Sequence, residues 1–309
     1  MQALSSTHQY AGKGRGVSYA RTVFGIALPM SAWFCLLGLP LWALAEGCSY
    51  WFGEDESLSV YFHGLRGLWA SYGVMIALTG IWFELLLIWL TPLPVHLRRA
   101  AQAQIERLEV GHPLVVFTEQ IATELGAKSP ELYIAKSELP NAFALSKGQP
   151  GAIVINAGLI RNLEKGELAF VLAHEISHIR NGDAFSGLIW LACSRSTMWA
   201  IRAREMTVNV LHRVRSRPSL LIDFLFGPVY LFVHFAGMSH RFTLSAYKLI
   251  DLWIGRHMEY RADREGAAIA GAHSAECVIH MLRRGIEPSW GVFSTHPPTD
   301  RRIKNIRAS

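Results

Sequence analysis

Three residues that can bind and use a metal ion, His174, Glu175 and His178, form a His-Glu-x-x-His motif. The preceding run, 167–173, holds no helix breaker. Residues four apart lie on one face of a helix, so both imidazoles can reach one ion. Glu175 lies next to them, where its carboxylate can take a proton from an activated water. Hydrolytic zinc requires three protein ligands and one open position, and the third ligand must therefore come from elsewhere in the chain.

The best candidate for the third ligand is Glu259, which lies one helical turn before Asp263 in a second stretch that is predicted to be helical. One carboxylate can bind zinc while the other accepts the second N–H of a ligand histidine, which fixes the tautomer and orientation of the ring. The alternative is a solvent-exposed helix face whose acids pair with Arg261 and Arg264. The position of the pair downstream of the first motif favours the ligand-and-orienter interpretation.

Four segments in a fixed order give the chain a family resemblance. They are 139–144 (LPNAFA), 174–183 (HEISHIRNGD), 259–263 (EYRAD) and 295–303 (THPPTDRRI). In order and spacing the chain resembles the HtpX-type membrane zinc endopeptidases, which are relatives of the type I CaaX prenyl proteases. Each segment is weak alone, but the combination is highly specific.

The resemblance implies a role for each site residue. Glu175 is the general base, and Asp263 is the partner of a ligand histidine. One Zn²⁺ per chain is held by three ligands, His174, His178 and Glu259. His296 and Arg302 are implied to lie near the developing oxyanion, although from their own segment they can equally be a surface histidine and part of a basic tail.

Strand-like runs precede the motif, at 131–135, 141–145 and 152–156. Zinc proteases of this kind hold an extended substrate against the edge of a small sheet. The resemblance assigns that edge to Asn141, Ala142 and Phe143, and the alternative is an ordinary internal hairpin strand. The expected fold is a mainly α membrane protein. It combines an N-terminal transmembrane helical hairpin, an α+β zincin domain of the gluzincin type with a small antiparallel sheet, and extra hydrophobic helices.

The composition is that of a membrane protein, with 51% hydrophobic residues, 17% charged residues and ten tryptophans. Residues 22–45 carry no charge and 67–91 carry only Glu84, and each run can cross a hydrocarbon core of about 30 Å as a helix. The run 43–45 resembles a signal-peptide cleavage site, but the apolar stretch is longer than a signal peptide needs. We therefore predict a tail over 1–21, a hairpin over 22–91 and a peptidase domain over 92–309.

The charges that flank the hairpin predict its direction. Residues 1–21 carry three basic residues and no acid, residues 46–56 between the spans carry four acids, and Arg98 and Arg99 follow the second span. Basic residues stay on the cytoplasmic side, so the catalytic domain is predicted to face the cytoplasm from a multi-pass position in the inner membrane. The net charge of +6 fits a lipid bilayer surface better than nucleic acid, for which the chain has no motif.

The apolar insertion 184–240 is harder to interpret. Its two apolar segments, 184–201 and 219–240, flank a stretch with five arginines, 202–217. Because His174 and Glu259 must meet at one zinc, the chain between them crosses the membrane an even number of times. Two crossings would put the arginines outside, against the positive-inside rule. The charge pattern favours zero crossings, with the segments re-entrant, interfacial or packed on the peptidase domain, and the resemblance favours two.

Together these features predict an integral-membrane zinc endopeptidase that hydrolyses peptide bonds at the cytoplasmic face. The resemblance implies that its polypeptide substrates are damaged or misfolded membrane proteins, as in a stress response. The alternatives are a membrane scaffold or adaptor with an idle zinc site, a zinc hydrolase that is not a peptidase, and a CaaX-type processing protease. The last belongs to a branch built around more membrane helices than this chain can supply. The natural substrate and the oligomeric state stay open.

Overall fold

The computed structural model describes residues 19–27, 30, 33, 75–215, 245, 249–285 and 297–308. The chain divides into two compact units. The first holds the described residues among 1–22, 89–188 and 251–309, and the second holds those among 23–88 and 189–250. The predicted site residues lie in the first unit, except His296, which lies outside the described residues. The predicted span 22–45 lies largely outside the described residues, and the apolar segment 219–240 of the insertion lies wholly outside them.

The helices of the described residues are labelled in chain order. They are α1 (19–27), α2 (Met75–Leu90), α3 (Leu93–Ala101), α4 (Pro113–Glu124), α5 (Ala157–Asn162), α6 (Lys165–Arg180), α7 (Asp183–Arg215), α8 (249–270), α9 (Ala272–Gly285) and α10 (Thr299–Arg307). The strands are β1 (Ile105–Arg107), β2 (Glu131–Ala135), β3 (Ala142–Leu145) and β4 (Ala152–Asn156). The prediction of a mainly helical chain with one small sheet is confirmed.

The sheet has the strand order β1-β2-β4-β3 and is mixed. β1 pairs antiparallel with β2, β3 pairs antiparallel with β4, and β2 pairs parallel with β4. The predicted antiparallel sheet is therefore wrong. The cause is the hairpin of β3 and β4, which leaves the other side of β4 open to β2, and β2 happens to run in the same direction as β4. Isoleucine and valine fill β4 without polar alternation, as expected of a strand buried on both faces.

The core of the first unit lies between the sheet and α6. Phe170, Leu172 and Ile176 of α6 pack in one cluster with Ile153 and Ile155 of β4, and α9 and α10 complete the cluster. Fully burying an aliphatic or aromatic side chain of this size stabilises a fold by about 1.5–3 kcal/mol. The helix that carries the His-Glu-x-x-His motif is thus held by its own apolar residues.

In the second unit, Glu84 of the predicted span 67–91 is a buried carboxylate on α2. It accepts a hydrogen bond of 3.1 Å from Trp199 Nε1, and its Oε2 lies 3.6 Å from Arg195 Nη1. Both partners belong to α7, which continues without a break from the first apolar segment of the insertion into the arginine-rich stretch.

Among the described residues, no helix taken singly has the length and apolar character needed to cross a membrane. By those two criteria only the pair Met75–Leu90 and Leu93–Ala101 qualifies jointly, with a bend of 97° between its members.

Candidate metal centre

The three predicted ligands meet in the structure. His174 and His178 lie one turn apart on α6, and Glu259 reaches them from α8. The Nε2 atoms of the histidines lie 3.2 Å apart, and the carboxylate oxygens of Glu259 lie 3.6 Å from His174 Nε2 and 3.4 Å from His178 Nε2. Ligand atoms that surround one tetrahedral ion at about 2.0–2.1 Å lie roughly 3.3 Å from one another. The spacing therefore fits a single small metal ion.

The local sequence explains how α6 presents these residues. A capping box between Glu164 and Glu167 starts the helix, and Asn181 and Gly182, whose φ is +81°, end it. Glu175 follows His174 directly on α6 and is buried.

Behind His174 lies Asp263, which is fully buried. Its Oδ1 is 3.2 Å from His174 Nδ1. His174 is thus the histidine that this carboxylate faces. Asp263 faces Nδ1, which leaves Nε2 for a metal.

The guanidinium of Arg302, on α10, is bound to Asp263. Arg302 Nε and Nη2 donate hydrogen bonds of 2.8 and 2.5 Å to the two oxygens of Asp263. Its Nη2 also lies 3.9 Å from the ligand carboxylate of Glu259. Burial acts to lower the pKa of Arg302, but the carboxylates of Asp263, Glu259 and Glu175 outweigh it and raise that pKa. The side chain predicted near the oxyanion thus lies against the acid behind His174.

Behind His178 lies a second acid, Asp183, which the sequence interpretation gave no role. Its Oδ2 lies 2.8 Å from His178 Nδ1, and Arg261 Nη2 contacts the same oxygen. Both Asp183 and Arg261 are buried. The available signal was a carboxylate placed directly after the Asn-Gly stop of the motif helix. On the exposed-face alternative Arg261 pairs with an acid in solvent, whereas in the structure it is buried against Asp183.

The buried charges around the histidines fit a divalent cation. Four carboxylates are buried there, those of Glu175, Asp183, Glu259 and Asp263. Two buried guanidiniums, Arg261 and Arg302, oppose them. With neutral histidines the four negative and two positive charges leave −2, which one divalent cation cancels. A buried net charge of this size is expensive without such a counter-ion.

The histidine pKa values reflect the same excess of negative charge. Burial acts to lower the pKa of both rings, but their acidic partners outweigh it. The pKa of His174 is raised by Asp263 and Glu259, and that of His178 is raised well above its usual value by Asp183 and Glu259. The site therefore attracts positive charge at its histidines, either protons or a metal ion that displaces them.

The predicted substrate strand lies at an edge of the sheet. Ala142 and Phe143 belong to β3, and Asn141 directly precedes it and accepts a backbone hydrogen bond from Asn156. β3 pairs with β4 on one side, has no strand on its other side among the described residues, and packs against the motif helix α6. Within the sheet as described, β3 is thus both an edge strand and one strand of a hairpin with β4.

Comparison with known proteins places these features in a family. The sequence matches peptidase family M48 over residues 114–309. The chain belongs to this family. The Protease HtpX homolog of Pyrococcus abyssi is 30% identical over 235 residues, which cover 66% of this chain and 76% of the relative. Protease HtpX of Aeromonas hydrophila is 29% identical over 219 residues, with coverage of 65% and 74%.

The crystal structure of S. mikatae Ste24p is a more distant neighbour of this M48 peptidase. It has 17% sequence identity and a TM-score of 0.47, and the match covers 87% of this chain and 62% of that chain, less than two thirds of its length. The family match and the names of the relatives confirm the resemblance to HtpX-type proteases and make the chain a metalloprotease by family.

Proposed function

We propose that this M48 peptidase is an integral-membrane zinc endopeptidase that hydrolyses peptide bonds at the cytoplasmic face. The observation that carries the proposal is the convergence of His174, His178 and Glu259, with ligand atoms within 4.8 Å of one another, in a buried setting where carboxylates outnumber guanidiniums. Two imidazoles and one carboxylate are the ligands of hydrolytic zinc, which leave a position open for chemistry.

Zinc held by these ligands would supply a Lewis acid that activates water near neutral pH. The residues of the chain do the remaining work. Glu175 takes the proton of the attacking water and returns it to the leaving amine. His296 donates to the oxyanion, an assignment that rests on the resemblance alone. Asp263, held by Arg302, keeps the ring of His174 turned toward the ion.

The edge of β3 is the proposed substrate-binding strand. An extended polypeptide can add to this edge through backbone hydrogen bonds, with Asn141, Ala142 and Phe143 as its neighbours. Backbone pairing depends weakly on side chains, which suits a protease that acts on many damaged or misfolded proteins. The apolar segments and the net charge of +6 support membrane proteins as that substrate class and a multi-pass position in the inner membrane.

Glu175→Gln tests the proposed reaction. The substitution should abolish cleavage of casein or of an unfolded membrane protein while zinc stays bound, because Glu175 is a base and not a ligand. Zinc content and cleavage are measured on the same purified sample, with a chelator arm for the wild type. The control is Glu124→Gln, which replaces an exposed acid on α4 and should leave both zinc content and cleavage unchanged.

Each outcome of this experiment has a defined meaning. Loss of zinc from the Glu175→Gln protein would make Glu175 a ligand and overturn its role as base. Zinc-loaded wild-type protein with no cleavage of any polypeptide would instead support the scaffold or adaptor with an idle site.

His296→Ala tests the oxyanion assignment. A donor to the oxyanion acts mainly in the transition state, so its loss should lower kcat by about 10²–10³ with zinc still bound and little change in KM. A variant with near-normal kcat removes His296 from the site.

Thiol labelling tests the proposed orientation. Cys48, in the loop between the predicted spans, should react with an impermeant reagent added outside intact cells, and cysteines introduced at 204 and 213 should not if the insertion makes no crossing. Labelling of the introduced positions from outside would establish two further spans.

A further inference from the structure

The contact of His178 with Asp183 has the geometry of a positioning interaction. Asp183 Oδ2 lies 2.8 Å from His178 Nδ1, the ring atom that points away from Glu259. The opposite ring atom, Nε2, is the one that lies near the other ligand atoms. An acceptor at Nδ1 holds the proton on that nitrogen and leaves the lone pair of Nε2 for the ion.

The chain places the Asp183 carboxylate by a short, stiff connection. α6 ends at Arg180, and the Asn181 side chain donates a hydrogen bond of 2.9 Å back to Ser177 O. Gly182 then turns the chain with a φ of +81°, and Asp183 begins α7. Ser186 Oγ donates to Asp183 O at 2.9 Å, which ties the first turn of α7 to the aspartate.

Arg261 holds the carboxylate from the other side. It lies on α8, two residues after the ligand Glu259, and its Nη2 contacts the same Asp183 oxygen that faces His178. Burial leaves Asp183 and Arg261 little water to compete for these contacts. A buried charge without its partner is strongly unfavourable, so each of the two side chains holds the other in place.

We propose that Asp183 and Arg261 are positioning residues that orient His178 as a zinc ligand. The proposal rests on the proposed zinc site and deepens it. It states that each ligand histidine has its own carboxylate and arginine: Asp263 with Arg302 for His174, and Asp183 with Arg261 for His178. The competing explanation is that Asp183 and Arg261 form an ion pair that only holds α7 against α8.

Metal affinity separates the two explanations. Zinc affinity of the purified full chain is measured by competition with a chelator, and the visible spectrum of the Co²⁺-loaded protein reports the geometry at the ion. Asp183→Asn should weaken zinc binding by about 10–100-fold, as the loss of a partner of a ligand histidine does, and should change the Co²⁺ spectrum.

Two further variants keep the test decisive. Asp183→Asn with Arg261→Gln removes both charges, so that neither is left buried alone, and should show the same loss of zinc affinity even if the single variant folds poorly. The control is Glu276→Gln with Arg307→Gln, a hydrogen-bonded pair between α9 and α10 that is away from the histidines and should leave zinc affinity unchanged.

Zinc affinity and Co²⁺ spectra like those of the wild type in the double Asp183/Arg261 variant would overturn the proposal and leave a structural ion pair. The proposed function is tested by a separate measurement, the cleavage of polypeptides by the wild-type protein. Wild-type protein that binds zinc but cleaves nothing would overturn the function and leave this proposal standing. Wild-type protein without zinc affinity would overturn both.

Discussion

The two ligand histidines are supported in the same way by different parts of the chain. His178 meets a carboxylate that lies only five residues further on, beyond one tight turn. His174 meets Asp263 on another helix, and the arginine that holds Asp263 comes from a third, α10. The difference shows that the same chemical requirement, an acid held at Nδ1, can be met by local backbone geometry or by tertiary packing alone.

The geometry of the two contacts differs accordingly. The Asp183 oxygen lies at hydrogen-bond distance from His178, at 2.8 Å, whereas the Asp263 oxygen lies 3.2 Å from His174. The locally connected carboxylate is thus the closer of the two to its histidine. We expect the His174 half of the site to depend more strongly on the folding of distant helices.

Glu259→Ala should have the largest effect, because Glu259 lies within 3.6 Å of both histidines and belongs to neither half alone. The variant should lose stoichiometric zinc and all cleavage, measured by metal analysis and by peptide hydrolysis. Retention of tightly bound zinc would show that the two histidines, each with its own carboxylate, hold the ion by themselves.

Arg302→Met should destabilise the fold by about 3–5 kcal/mol, because it leaves Asp263 buried without the partner that donates two hydrogen bonds. Chemical unfolding in the presence of a chelator measures this effect apart from zinc. Arg261→Met is the matched variant for the other half. A larger loss of unfolding free energy in Arg261→Met than in Arg302→Met would show that the His178 half depends more on tertiary packing than the His174 half.

Asp263→Asn should weaken zinc binding by about 10–100-fold while the ligands stay in place. The ratio of the loss of zinc affinity in Asp263→Asn to that in Asp183→Asn measures how much each histidine depends on its own carboxylate. A neutral result at Asp263 would mean that the acid serves the packing of Arg302 and not the orientation of His174.

Gly182→Ala should reduce stability by about 1–2 kcal/mol, because alanine is strained at a φ of +81°. The strain falls on the turn that places Asp183, so zinc affinity should fall as well. Gly126→Ala is the control, since its φ of +64° is similarly positive and it lies at the end of α4. Equal zinc affinity in the two variants would show that the turn at Gly182 does not influence zinc binding.

The smallest expected effect is a loss of folding stability at acidic pH. Burial acts to raise the pKa of Asp263, but the hydrogen-bonded guanidinium of Arg302 and the nearby imidazole of His174 outweigh it, so the pKa is lowered from 3.8. A depressed pKa contributes stability that is complete above the unfolded value and is lost as pH falls through the folded value. Below about pH 4 the chelated wild-type protein should therefore lose stability more steeply than Asp263→Asn. Parallel curves would contradict this.

The sequence was sufficient for the residues whose roles follow from spacing along one helix. The pair His174 and His178, the base between them, and the one-turn relation of Glu259 to Asp263 all required only helical periodicity. Asp263 was assigned to a histidine, but which one depends on how α8 crosses α6. Arg302 was placed near the oxyanion by resemblance, and its contact with Asp263 depends on the packing of α10.

The parts that sequence reasoning missed depend on turns and on strand order. Asp183 is the last residue of the family segment 174–183. Its carboxylate reaches His178 only because Gly182 adopts a left-handed conformation. The parallel pairing of β2 with β4 follows from which side of the hairpin β2 occupies, and alternating apolar residues carry no information on that choice. The burial of Arg261 could not be predicted either, because its sequence is equally compatible with an exposed ion pair.

The order of the site residues along the chain has a consequence for synthesis. A ribosome makes the amino-terminal part of a chain first, and His174, Glu175 and His178 therefore emerge well before Glu259, Asp263 and Arg302. The three candidate metal ligands are all present only once Glu259 has been made, and Asp263 gains its buried partner only once Arg302 has followed. The candidate metal centre is therefore assembled from the late helices α8 and α10, although its two histidines are synthesised much earlier.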